Sequence, residues 1–197
     1  ADYLFIMSSE KRDLTNFSRF LVNINYVDFP EYAKLPLIQN FRDFKHFKTA
    51  IDWSNKFNIQ KSVDGRILLS VLYAEAQDVA NAKDQLSKID IKGLTADQLV
   101  RVAYAYRLIN LPVDALATVE HAYQQQPKSS SVLQEYVYDL IAIGSYKKAQ
   151  QLLQASEKTE QTVQMLQTLQ VSEFSQHINN AIARYKYRSE EHTSELQ

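Results

Sequence analysis

Residues 95–127, TADQLVRVAYAYRLINLPVDALATVEHAYQQQP, read as two helices and the turn between them, and residues 130–155, SSVLQEYVYDLIAIGSYKKAQQLLQA, repeat the plan. Thr95 is placed to cap the first helix, with Gln98 three residues on as its capping-box partner. Val100, Ala103, Tyr104 and Arg107 follow at helical spacing until Asn110. Pro112 suits the first turn of the second helix, where its missing N–H costs nothing. Ala115, Val119 and Ala122 line one face of that helix, and Pro127 ends it. In the second stretch Ser131 and Gln134 form the expected capping box. Leu133, Tyr136, Val137 and Leu140 make the buried face, and Gly144 gives a left-handed stop. Ala115 and Ala149 lie 34 residues apart, where a small side chain lets paired helices cross closely.

The pattern extends outward in weaker form. Residues 66–77 and 79–89 form another pair, with Tyr73 and Ala82 spaced as Tyr106 and Ala115 are. Residues 36–44 and 47–57 form a looser one around Ala50. A helix is expected at 9–24 through Leu14, Phe17, Leu21 and Ile24, and two more at 162–169 and 172–187. The second of these carries Phe174, Ile178, Ala181, Ile182 and Tyr185 on one face. The predicted fold class is all-α, an α-solenoid of antiparallel helix pairs with about a dozen helices and no strand, running over residues 1–187. The clearest repeats are 96–129 and 130–163.

Composition closes off most chemistry. The 197 residues include no cysteine, which excludes disulfides, zinc thiolates and thiol nucleophiles. Three glycines stand where an average chain would have roughly fourteen. None are clustered, so phosphate loops and nucleophile elbows are excluded. His46, His121 and His177 are isolated, and Glu173 with His177, four apart, reads as a solvated helix-face pair rather than metal ligands. No metal, cofactor or catalytic group is expected, and the chain reads as non-catalytic. Its net charge of −1 gives no electrostatic argument for nucleic acid. Lys11-Arg12, Lys147-Lys148 and Arg184 with Lys186 are separated by neutral stretches and read as solvated turns and helix ends. The apolar run from Tyr3 to Met7 is too short for a membrane span.

The spacing resembles the tetratricopeptide repeat, a unit of about 34 residues with the pattern W-x₂-L-G-x₂-Y…A-x₃-F…P. Those positions fall on Leu99, Val102, Ala103, Tyr106, Ala115, Val119 and Pro127, of which the tyrosine, alanine and proline match. Gly144-Ser145-Tyr146 and Ala149 keep the common G-x-Y-x-x-A turn. The resemblance implies a concave groove lined by the first helix of each pair. Its inward positions fall on Asp97, Val100, Tyr104 and Arg107, then on Ser131, Gln134, Tyr138 and Ile141. Tyr104 and Tyr138, 34 apart, would form an aromatic ladder for an extended peptide or sugar chain, with Arg107 and Gln134 hydrogen bonding; the alternative is that both tyrosines pack between helices. Tyr104, Arg107, Gln134 and Tyr138 are therefore the candidate groove residues. Clamps for C-terminal carboxylates place lysine and asparagines inward; this chain has Val100, Tyr104, Gln134 and Tyr138.

A narrower resemblance joins residues 102–127 and 174–187 to the periplasmic repeats of the outer-membrane exporter family of poly-β-1,6-N-acetylglucosamine. It implies biofilm polysaccharide export in a Gram-negative periplasm or outer membrane. The partner would be a protein or a polysaccharide chain, and a C-terminal β-barrel would follow. The rival readings are a cytoplasmic adaptor that assembles proteins and the helical scaffold of an enzyme whose catalytic domain follows. The final residues 188–197, RSEEHTSELQ, resemble the in-frame translation of a common short-read sequencing adapter, and are expected to be non-native, the rest being a fragment of a longer protein. Without them the net charge becomes +1.

Overall fold

Four helices of thirteen residues each set the rhythm of the chain: α1 (Glu31–Asp43), α3 (Val63–Glu75), α5 (Ala96–Leu108) and α7 (Ser130–Ala142). A partner follows each: α2 (Phe47–Phe57), α4 (Val79–Ser87), α6 (Pro112–Gln125) and α8 (Tyr146–Ala155). A long helix, α9 (Glu160–Ser194), comes last, and 3₁₀ turns lie at Ile59–Lys61 and Ile91–Gly93. The structure, a computed structural model, describes residues 29–156 and 159–194. Among these there are nine helices and no strand, so the all-α class holds and the helix count is below the expected dozen. The helix expected at 9–24, and Lys11-Arg12 within it, lie outside the described residues. The two helices expected at 162–169 and 172–187 are one, because Gln170 and Val171 offer no glycine, proline or cap to end the first. The backbone of α9 continues through the first residues of the 188–197 segment.

The thirteen-residue helices all stop in the same way. Lys45, Gln77, Asn110 and Gly144 take left-handed backbones with φ of 61, 61, 58 and 76°. The next residue in each case donates its N–H back across the last turn: His46 to Phe41 at 2.9 Å, Asp78 to Tyr73 at 2.8 Å, Leu111 to Tyr106 at 2.9 Å, Ser145 to Leu140 at 2.8 Å. A second bond runs from each left-handed residue itself, as Gly144 N–H to the Ile141 carbonyl. This is the Schellman arrangement, which satisfies carbonyls a helix end would otherwise orphan. Five residues beyond each left-handed position stands an alanine, Ala50, Ala82, Ala115 or Ala149, and all four are fully buried.

The starts are mixed. Thr95 and Gln98 form the expected capping box. The box expected from Ser131 and Gln134 is not formed: α7 begins one residue before Ser131, and the Ser129 hydroxyl accepts from Val132 N–H. Three consecutive serines offer three possible caps, and the earliest gives the longest helix. Helix α1 starts ahead of Pro36 rather than at it, leaving the proline inside, four residues after the exposed Tyr32.

The chain divides into two compact units, the boundary falling inside α6 after Thr118. In the first, α3 packs against α2, α4 and α5. Its core gathers Ile38, Phe41, Trp53, Phe57, Leu69 and Leu72. Gly65 lets α3 press on the 3₁₀ turn, since a Cβ there would fall 1.9 Å from the Ile59 carbonyl oxygen. In the second unit, α8 packs against α7 and α9. Val132, Tyr136, Leu140, Leu153 and Leu169 are buried there. No helix among the described residues is long and apolar enough to cross a membrane.

Candidate ligand-binding faces

In the first unit, α5 presents Tyr104 and Arg107 one turn apart, and the structure brings them together. The Arg107 guanidinium lies 5.9 Å from the centre of the Tyr104 ring. A second guanidinium, that of Arg42 on α1, lies 5.9 Å from the same centre. Cations are drawn to ring faces by the negative quadrupole of the π system. The Tyr104 hydroxyl donates to Glu75 Oε1 at 3.3 Å, while Arg42 Nε and Nη2 each donate to the Glu75 carboxylate at 2.7 Å. Bidentate pairing of this kind is the strong form of an ion pair. Glu75 raises the affinity of Arg42 for its proton, through the hydrogen bonds first. The half-buried Tyr104 is thus held from three sides, and α1, α3 and α5 are tied through one carboxylate.

Neither Arg42 nor Glu75 was expected at this face. They stand 33 residues apart, about one repeat, and each is the penultimate or last residue of its helix. That equivalence was the available signal. A second polar tie joins α3 and α5 further along: Gln98 Nε2 donates to Asp64 Oδ1 at 3.0 Å, and Arg101 pairs with the same oxygen at 3.4 Å.

In the second unit, α7 carries Gln134 and Tyr138 four residues apart on one exposed face. Gln134 Oε1 accepts from Gln161 Nε2 of α9 at 2.7 Å. Tyr138 is 61% exposed, against 3% for Tyr136 two residues earlier. Tyr136 points inward, its ring 5.3 Å from that of Tyr123, and its hydroxyl donates to Glu120 Oε1. Lys148 of α8 donates to the same oxygen at 2.8 Å. These two donors, Lys148 first, hold the Glu120 carboxyl below its usual range, and Lys148 is pushed up to about 12, chiefly by its bond to Glu120. Burial raises the Tyr136 phenol.

Glu173 and His177 stand four apart on α9, and no hydrogen bond or ion pair joins them among the described residues. The side chains of Ile178, Ala181, Ile182 and Tyr185, expected to share a face with Phe174, lie outside the described residues; Phe174 itself is exposed. No family model matches the chain, and no curated protein and no solved structure matches it.

Proposed function

We propose that the chain is a tetratricopeptide-like α-solenoid that acts as a non-catalytic scaffold and binds an extended polymer along the faces of its thirteen-residue helices. The recurrence of one helix ending at Lys45, Gln77, Asn110 and Gly144, each followed by a buried alanine, supports this reading. The polymer is a polysaccharide, poly-N-acetylglucosamine, and the setting is the periplasmic part of a biofilm export protein; this rests on the resemblance at residues 102–127 and 174–187. The observation that carries the binding surface is Tyr138, an aromatic ring 61% exposed on a helix whose neighbouring tyrosine is buried. Gln134 beside it, and Tyr104 with Arg107 in the first unit, are the other proposed contacts.

Calorimetry with poly-N-acetylglucosamine oligomers tests the reading. Tyr138→Ala is expected to weaken binding about tenfold, the loss of roughly 1.4 kcal/mol at a ring contact. Tyr104→Phe keeps the ring and removes only its bond to Glu75, so binding is expected to persist. Absence of heat with the unaltered chain at millimolar oligomer would overturn the polysaccharide reading and favour a protein partner.

A further inference from the structure

Helix α9 is committed on one side only. Thr162 and Leu169 are buried, and the helix packs on α7 and α8. At about 100° per residue, the opposite side carries Val171, Phe174, Ile178, Ile182 and Tyr185 within a sector about 80° wide. The described side chains of this set are open, Val171 66% and Phe174 67% exposed. The outer side of a surface helix is ordinarily polar. One exposed apolar residue needs no explanation, but a stripe of them at helical spacing marks a contact surface.

The order of residues along the stripe says what fits it. Its steps are 3, 4, 4 and 3, the same read from either end, with Ile178 at the centre. A two-fold axis through Ile178 therefore sets Val171 level with Tyr185 of a second copy, and Phe174 level with Ile182. Residues near such an axis lie beside their own copies, where a fixed charge would repel itself. The ten residues from Phe174 to Ala183 include no Asp, Glu, Lys or Arg. Charge begins at the two ends with opposite sign, Glu173 before and Arg184 with Lys186 after. Antiparallel pairing brings Glu173 to within about 1.5 Å of the level of Arg184 of the second copy. Parallel pairing would set acid beside acid and base beside base, which costs stability. We propose that a second copy of this chain covers the outer face of α9, the two helices pairing antiparallel over residues 171–185 about a two-fold axis at Ile178. The interface uses none of the proposed polymer contacts and does not depend on that reading.

Sedimentation equilibrium of the full chain tests for the pair, and a dimer is expected at about 100 μM. Phe174→Glu alters an exposed position and is expected to keep the helix content by circular dichroism. It puts a charge into the apolar contact and is expected to weaken association at least about tenfold. The chain has no cysteine, so single introduced thiols report the geometry. Ile178→Cys is expected to form a disulfide with its own copy on mild oxidation, because the axis brings that position against itself. Val171→Cys alone is expected not to, since the two copies of position 171 stand about 21 Å apart along the helices. A mixture of Val171→Cys and Tyr185→Cys chains is expected to link. Deleting residues 188–197, outside the paired stretch, is expected to leave association unchanged. A chain that stays monomeric at about 1 mM would overturn the proposal and give the face to a different partner. So would a dimer indifferent to Phe174→Glu, one lost with residues 188–197, or Val171→Cys chains that link to themselves as readily as Ile178→Cys chains do.

Discussion

Gly65 shows how a single hydrogen atom decides an approach. A methyl carbon added there would meet backbone, the Ile59 carbonyl oxygen at 1.9 Å, so no side chain can swing aside to make room. Gly65→Ala gains helix propensity, yet it must part α3 from the 3₁₀ turn, and a net loss of about 1–3 kcal/mol is expected from overpacking. A thermal melt checks this; an unchanged melting temperature would mean the turn yields freely. The Glu120–Lys148 pair makes a second residue-scale prediction. The carboxyl's depressed pKa means its contribution is present above the ordinary value of 4.5 and lost as pH falls through the folded value. The raised lysine contributes below the ordinary 10.5 and loses that contribution as pH rises through about 12. The pair is well exposed, so its worth is small, about 0.2–1 kcal/mol. Glu120→Gln is therefore expected to lower the melting temperature between pH 6 and 9 slightly and to converge with the unaltered chain only once pH falls below the carboxyl's lowered folded value. Such pairs were the least legible part of the sequence. Arg42 and Glu75 meet only in the folded chain, and their like places at two helix ends 33 residues apart were the sole hint of it. Thr95 and Gln98, three apart, needed only their own turn to be read.

At the scale of elements, the helix endings carry the repeat. Reading glycine as the stop found Gly144 alone, because the left-handed backbone also admits asparagine readily and lysine or glutamine at some cost. A Cβ at Gly144 would meet nothing nearer than 3.8 Å, so the cost of Gly144→Ala is conformational: a loss of about 1 kcal/mol is expected. Gln77→Gly makes the converse change at φ 61° and is expected to stabilise by about 0.5–1 kcal/mol. Urea midpoints with unchanged slopes check both. Opposite shifts are required; a loss at Gln77 would show its side chain matters more than its backbone. The amphipathic faces were readable from spacing, and the alanines from their interval. The start of α7 was not, because Ser129, Ser130 and Ser131 are equivalent as caps until packing chooses among them.

Across the whole molecule, charge and length meet at the 188–197 segment. It holds three glutamates and one arginine with no apolar periodicity, so deleting it is expected to raise the isoelectric point while leaving the melting temperature unchanged. Isoelectric focusing and a thermal melt check the two parts. A fall of several degrees would show that the segment contributes to packing. The regular endings have a further consequence for how this chain tolerates insertion. Helix start, left-handed residue and buried alanine keep fixed distances in all four pairs, yet the pairs begin 32, 33 and 34 residues apart. All the variation in length falls between the alanine and the next thirteen-residue helix. The links at 88–93 and 126–129, none of whose residues is buried, are thus the places where residues can be added or removed, or a foreign loop grafted, without turning any buried face toward water.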